Sequence, residues 1–90
     1  MIINDDFNLF MENKINKYAS NIINNSVDYD LLSLGEISFY ISLQSILQSK
    51  CNNQYQASLY EIGMMDAIND VLKILGVISE GCFYDKALSE

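Results

Sequence analysis

The sequence predicts an all-α fold: a small antiparallel helical bundle of three main helices plus a short C-terminal helix, in a single domain over residues 1–90. Two observations carry this prediction. Apolar residues recur at three- and four-residue steps over three long stretches, and the connections between these stretches are short. Half of the 90 residues are apolar, which is enough material for one hydrophobic core.

The first helix is predicted to begin at Asn4 or Asp5, because either side chain can accept hydrogen bonds from the unpaired N–H groups of a first turn. Asp5 and Asp6 also suit the positive end of the helix dipole. Asn24 and Asn25 end the pattern. The apolar face of this helix comprises Phe7, Met11, Ile15, Tyr18 and Ile22.

Residues 26–32 allow two interpretations, a connecting loop or an early turn of the second helix with Ser26 as its cap. We favour the loop because of the residues that follow. Ser33 and Glu36 have the spacing of a capping box, and Leu32 with Ile37 has the spacing of a hydrophobic staple. The second helix is therefore predicted over residues 34–49.

This second helix carries no charged residue from Ile37 to Ser49. One side is broadly apolar, formed by Ile37, Tyr40, Ile41, Leu43, Ile46 and Leu47. The other side is a stripe of serines, Ser38, Ser42, Ser45 and Ser49. An uncharged helix is usually buried or in contact with a partner, so the stripe is either a docking surface or a side that faces water or a neighbouring helix.

The third helix is predicted over residues 55–75, with Asn53 and Gln56 as its cap and Gly76 as its stop. Its apolar stripe, against which the rest of the chain is expected to pack, comprises Tyr60, Met64, Ala67, Ile68, Val71, Leu72 and Leu75. The opposite, solvated side comprises Asp66, Asn69, Asp70 and Lys73. Leu59 and Ile62 lie towards the polar side, where an exposed apolar pair suits an oligomer contact.

A short connection after Lys50 and Cys51 predicts an antiparallel hairpin of the second and third helices. Beyond Gly76, Ser79 is placed to cap a short final helix, and Ile78 with Phe83 has staple spacing. The packing residues of that helix would be Phe83, Tyr84, Ala87 and Leu88.

Catalytic chemistry finds little support in the sequence. There is no histidine, so the commonest general base is missing, and the four glycines do not form a phosphate loop. Asp66 and Asp70 lie one turn apart but are better interpreted as part of a solvated face. Asp28 and Asp30 lack the continuation of a calcium loop. We therefore predict no enzymatic activity, no cofactor and no metal.

The two cysteines, Cys51 and Cys82, have neither metal-knuckle nor redox-pair spacing. Two free thiols in a reducing compartment are the favoured interpretation, and a disulfide between the two is the alternative. The N-terminus is acidic where a secretory signal would be basic, so we expect a cytoplasmic protein.

Twelve carboxylates stand against five lysines, with no arginine and a formal net charge of −7. This balance argues against direct nucleic-acid binding, which needs a basic surface, and against contact with anionic membranes. No apolar run approaches the roughly 20 residues that span a bilayer.

The leading functional hypothesis is a small, non-enzymatic, acidic protein-binding domain. It would act as an inhibitor or adaptor that occludes a surface on a larger host complex, such as a nucleic-acid-processing complex. Size and charge are typical of phage or mobile-element products such as anti-CRISPR and anti-restriction proteins. Two mechanisms fit, mimicry of DNA phosphates and docking of an uncharged surface, and scattered acids favour the second. The candidate contact residues are Ser38, Ser42, Ser45, Ser49, Leu59, Ile62, Asp66 and Asp70.

Two alternatives come from other classes. A structural or regulatory homodimer would complete its core across a two-fold axis through the second helix or the edge formed by Leu59 and Ile62. A carboxylate or metal-dependent enzyme built on Asp66 is the least favoured alternative.

Overall fold

The computed structural model describes residues 1–24, 27–52 and 54–89, and in this part of the chain it contains three α-helices. These are α1 (Asp5–Asn24), α2 (Val27–Cys51) and α3 (Leu59–Ile74). A 3-10 turn follows at Asp85–Ala87, and two short strands, β1 (Ile2–Ile3) and β2 (Leu88–Ser89), lie at the chain ends. The predicted all-α bundle is confirmed.

The first helix begins as predicted. The Asn4 side-chain oxygen Oδ1 accepts a hydrogen bond from the Phe7 N–H over 3.2 Å, and Asp5 and Asp6 occupy the first turn. Helix α1 ends at Asn24, while Asn25 lies outside the described residues. The local sequence therefore determines both ends of α1.

The loop predicted over residues 26–32 is wrong. Helix α2 already begins at Val27, and Ser33 lies inside it with 2 % of its surface exposed, so Ser33 does not cap a helix. Ser26, the alternative cap, lies outside the described residues. The spacing of Ser33 and Glu36 marks a helix start only where the preceding backbone leaves the helical conformation. Residues 27–32 contain no proline or glycine, so nothing in this segment forces the backbone out of the helical conformation.

Most of the tertiary packing lies between α1 and α2, which run antiparallel. Rings meet across this interface, with Phe10 and Tyr40 at 5.8 Å between centroids and Tyr18 and Tyr40 at 6.2 Å. The core that these helices share with α3 and the C-terminal segment comprises Met11, Leu43, Ile46, Leu47, Met65, Tyr84 and Ala87.

Helix α3 begins at Leu59, four residues later than predicted at residue 55. Its cap is Ser58, whose Oγ accepts from the Glu61 N–H over 3.1 Å, while Glu61 Oε1 accepts from the Ser58 N–H over 3.0 Å. This reciprocal pair is a complete capping box, and it holds the Ser58 backbone extended. Gln56 precedes the helix, and Asn53 lies outside the described residues.

The predicted stop at Gly76 is confirmed. Gly76 has a φ of 75°, its N–H donates to the Lys73 carbonyl over 3.0 Å, and the Val77 N–H donates to the Leu72 carbonyl over 2.9 Å. These two bonds form a Schellman motif, which satisfies the last carbonyls of α3.

The rest of the chain packs against only part of the predicted apolar stripe of α3: Met64 and Ile68 are partly buried against the core, whereas Tyr60, Val71 and Leu75 are exposed, so the expectation that the whole stripe is covered is wrong. The buried residues of α3 are Met65 and Asn69, and Asn69 was predicted to face solvent. Its side-chain Oδ1 accepts from the Phe83 N–H over 2.8 Å. Because that N–H belongs to the packed C-terminal segment, Asn69 turns inwards and most of the predicted stripe turns outwards.

The predicted C-terminal helix is a 3-10 turn followed by β2, which pairs antiparallel with β1 through Ile2 and Ser89 and through Ile3 and Leu88. A turn precedes the 3-10 turn. It contains Gly81, with a φ of 75°, and is held by Asp85, whose Oδ2 accepts from the Cys82 N–H over 2.8 Å. Ser79 consequently caps no helix. The packing residues were predicted correctly, because Tyr84 and Ala87 are buried and Phe83 and Leu88 pack against the core.

Candidate interaction surfaces

The serine stripe of α2 is largely turned towards the protein itself. Ser42 and Ser45 are buried, Ser49 is half-buried and Ser38 is exposed. The Ser38 hydroxyl donates to the Leu34 carbonyl and the Ser49 hydroxyl to the Ile46 carbonyl, each over 2.6 Å. Local hydrogen bonds and packing therefore engage much of the stripe.

A polar cluster links this stripe to the start of α3. Ser45 Oγ lies 3.3 Å from the Tyr55 hydroxyl. The Ser58 backbone N–H holds the pKa of the Glu61 carboxyl below its ordinary value; desolvation opposes this, and hydroxyls of Ser58 and Ser45 reinforce it. The cluster joins α2 to the capping box of α3.

Three of the predicted contact residues come together beside this cluster. Ser49, Leu59 and Ile62 line a groove of about 420 Å³, together with Tyr55, Gln56 and Ala57. Leu59 is well exposed and Ile62 less so. The structure thus places one end of the predicted stripe next to the predicted apolar pair.

Asp66 and Asp70 lie exposed on α3, away from that groove. Among the described residues, no three carboxylate or thiol side chains approach closely enough to hold a metal ion. Asp30 lies within helix α2 rather than in a loop. Cys51 and Cys82 are both free thiols.

The largest departure from the expected packing is an apolar surface on the outer side of α3. Tyr60 is 80 % exposed, Val71 54 %, Ile74 86 % and Leu75 69 %. We call this surface the α3 face. Its exposed residues are Tyr60, Ala67, Val71, Ile74 and Leu75, and Met64 and Ile68, which are half-buried against the core, lie along its edge. None of these residues is charged, and the face runs along a 16-residue helix, a length of roughly 24 Å.

Within the α3 face, Ala67, Ile68 and Val71, with Leu72, line a shallow concavity of about 260 Å³. Helix α3 is therefore apolar on its core side, at Met65, and again on its outer side. A helix that is apolar on two sides is normally covered on both. In this structure only one side is covered.

A second surface is a groove between the start of α1, the middle of α2 and the C-terminal segment, with a volume of about 610 Å³. Ring centroids are 5.7 Å apart for Phe7 and Phe10, and 6.4 Å apart for Phe39 and Phe83. Burial raises the pKa of the Tyr84 hydroxyl, and its hydrogen bond to Cys82 acts in the same direction. The aromatic residues that line this groove are Phe7, Phe10, Phe39, Tyr40, Phe83 and Tyr84.

The sequence prediction missed both surfaces, although a signal existed for each. The exposed α3 face is the apolar stripe that the spacing had revealed but that was assigned to the core. The aromatic groove depends on Phe39 and Phe83 meeting from distant parts of the chain, which periodicity along one helix cannot indicate.

The fold and these surfaces define a small helical bundle with an exposed apolar face on α3. Comparisons with protein-family models, with curated proteins and with solved structures find no match to the chain. None of the helices in the described part of the chain is long and apolar enough to cross a membrane.

Proposed function

We propose that this chain is a non-enzymatic protein-binding module that acts by docking the α3 face onto an apolar surface of another protein chain. The observation that carries the proposal is the exposure of large apolar side chains along one side of a well-capped helix. Contiguous exposed apolar patches of this kind mark interaction sites in soluble proteins.

The size of the surface supports this proposal. Tyr60, Ile74 and Leu75 are each more than two-thirds exposed, and Val71 is more than half exposed. Their combined exposed area is on the order of several hundred Å². That is on the order of the ~800 Å² that each partner contributes to a standard interface. A rigid helix also presents its side chains with little ordering cost.

Apolar docking accounts for the structure better than mimicry of DNA phosphates. A mimic needs a row of carboxylates, whereas Asp66 and Asp70 share their side of α3 with Lys73. The α3 face itself carries no charge. The wider proposal, that the module is an inhibitor or adaptor occluding a surface on a host complex, is supported by its small size and net charge of −7.

The test compares two double variants of the full chain. Val71→Lys with Ile74→Lys places two charges on the α3 face, and Leu31→Lys with Leu34→Lys places two on exposed apolar positions of α2. Both variants should keep wild-type helical circular dichroism, because lysine is a good helix former.

In affinity capture, we expect the wild type and the Leu31→Lys, Leu34→Lys variant to retain a bound protein in high salt. The Val71→Lys, Ile74→Lys variant should lose that protein, because a lysine buried in the contact would have no partner charge. Equal retention by all three proteins would contradict docking through the α3 face. Release of the bound protein by salt alone would instead favour phosphate mimicry.

A further inference from the structure

We propose that the occupant of the α3 face is a second copy of this chain, with α3 packed on α3 about a two-fold axis. This inference rests on the proposed function, because it names the partner at the same surface. It follows from the spacing, size and charge of the α3 face.

The spacing within the face is that of a coiled-coil seam. Tyr60, Met64, Ala67, Val71 and Ile74 follow one another at steps of four, three, four and three residues. This is the alternation of the two core positions of a heptad, over which two helices interlock side chains. Asn69 and Met65, the buried residues of α3, lie outside this seam, and the seam residue Met64 is partly buried against the core. One helix can therefore serve both contacts.

The residues beside the seam extend the contact. Ile68 and Leu75 lie on one flank of the seam, and Gly63 lies on the other. A side chain added at Gly63 would meet nothing within 4 Å in the single chain, so the surface there is open. Small residues at Gly63 and Ala67 allow a second helix to approach closely, as in tightly packed helix pairs.

A second copy supplies the apolar surface that would cover the α3 face of the first. Its own α3 face is an uncharged apolar surface of the same length and area. Two-fold pairing therefore covers both faces at once with one self-complementary interface. The exposed area is on the order of the ~800 Å² that one partner contributes to a standard interface, which fits one self-complementary contact.

The charge distribution agrees with this partner. Each copy carries a net charge of −7, so two copies repel one another at long range. The seam itself contains no carboxylate, so the repulsion comes from charges outside it, which salt screens. Dimer affinity should then hold steady or rise with salt, unlike binding to a basic partner.

The experiment measures mass by sedimentation equilibrium on the full chain, from micromolar to submillimolar concentration. We expect the wild type to approach twice 10.2 kDa. Val71→Lys with Ile74→Lys should raise the dimer dissociation constant at least about tenfold, and Leu31→Lys with Leu34→Lys should leave it unchanged. A wild-type mass of 10.2 kDa throughout overturns the inference.

A second variant keeps the test decisive if the double lysine change unfolds the chain. Tyr60→Glu alters an exposed seam position in the first turn of α3, where an added carboxylate suits the helix dipole. It should weaken the dimer while the helical signal is retained. A dimer unaffected by Tyr60→Glu and by the double lysine change would place the two-fold contact elsewhere and overturn the inference.

The same variants separate this inference from the proposed function. A monomeric wild type whose captured partner is lost only in the α3 variant would refute the second copy and leave docking through the α3 face standing. An α3 variant that retains both its dimer and its captured partner would refute both proposals.

Discussion

Ser58 shows how one residue positions the exposed helix. Its side chain and that of Glu61 satisfy each other's backbone N–H groups, and this box starts α3 at Leu59. A start four residues earlier would have placed Tyr55 inside the helix, away from Ser45 on α2. The cap therefore fixes the residue at which α3 begins.

Replacing Ser58 by alanine removes the acceptor for the Glu61 N–H, and we expect it to lower the free energy of unfolding by about 1 kcal/mol. Chemical denaturation of wild type and variant measures this difference. Ser38→Ala is the matched control, because the Ser38 hydroxyl contacts only the Leu34 carbonyl of its own helix. An equal loss in both variants would mean that the cap contributes nothing of its own.

Glu61 gives the capping box a pH dependence. Its pKa is lowered in the folded chain from an ordinary value of 4.5, chiefly by the Ser58 backbone N–H. A carboxyl with a lowered folded-state pKa stabilises the fold above its unfolded-state pKa, and this contribution is lost as pH falls through the folded-state value. Glu61→Gln should therefore flatten the loss of stability below about pH 4.5. Denaturation midpoints with the same slope in both proteins would contradict this.

Asn69 is the residue that orients α3. Its buried Oδ1 accepts from the Phe83 N–H over 2.8 Å, and Asn69→Ala should cost about 1–3 kcal/mol because that N–H is left unpaired. Asp66→Ala, an exposed change on the same helix, should stay within about 0.5 kcal/mol of wild type. Thermal unfolding of the two variants measures the contrast, and similar midpoints would show that this hydrogen bond does not anchor α3.

At the scale of elements, the three helices differ in how much of their apolar surface is buried in the core. Helices α1 and α2 contact each other along their lengths, through rings such as Phe10 and Tyr40. Helix α3 contributes only Met65 and Asn69 as fully buried residues. Tyr60, Val71 and Ile74 consequently stay exposed on its outer side.

Replacing a glycine by alanine should have opposite effects on stability at a helical and at a non-helical position. Gly35 lies inside α2 with open space around an added side chain, so Gly35→Ala should stabilise the chain by about 0.5–1 kcal/mol. Gly76 also has open space but a φ of 75°, and Gly76→Ala should destabilise by about 1 kcal/mol. Denaturation of both variants tests the pair. A destabilising Gly35→Ala would contradict the continuous α2 and favour a break near the loop predicted from the sequence.

At the scale of the whole molecule, the chain ends meet. Strand β1 pairs with β2, and the Asn4 N–H donates to the Ala87 carbonyl over 2.6 Å. This closure brings the C-terminal segment onto α1 and α2, where Tyr84 and Ala87 complete the core.

The acidic surface predicts how salt acts on folding. With a net charge of −7, like charges repel across a domain of this size, and screening them should raise the midpoint of thermal unfolding as salt is added. The Leu31→Lys, Leu34→Lys variant carries two fewer net negative charges and should show a smaller rise. Unfolding midpoints that fall with salt would instead indicate stabilising ion pairs at the surface.

Much of the fold was predictable from local sequence. Residues close together in the chain predicted the Asn4 cap, the Gly76 stop, the three helices and the packing role of Tyr84 and Ala87. The errors at residues 26–32 and at the start of α3 have one cause. Ser33 with Glu36 and Ser58 with Glu61 share the same spacing. Only Ser58 caps a helix, because its backbone is extended whereas Ser33 lies inside α2.

The sequence by itself determined that this chain forms helices, that it is strongly acidic and that α3 carries a long apolar stripe. Tertiary structure alone decided which side of α3 is buried. Both sides of that helix are apolar, so periodicity cannot choose between them. The Phe83 N–H makes the choice, because a buried donor needs an acceptor and Asn69 supplies it, which leaves Tyr60, Val71 and Ile74 facing outwards.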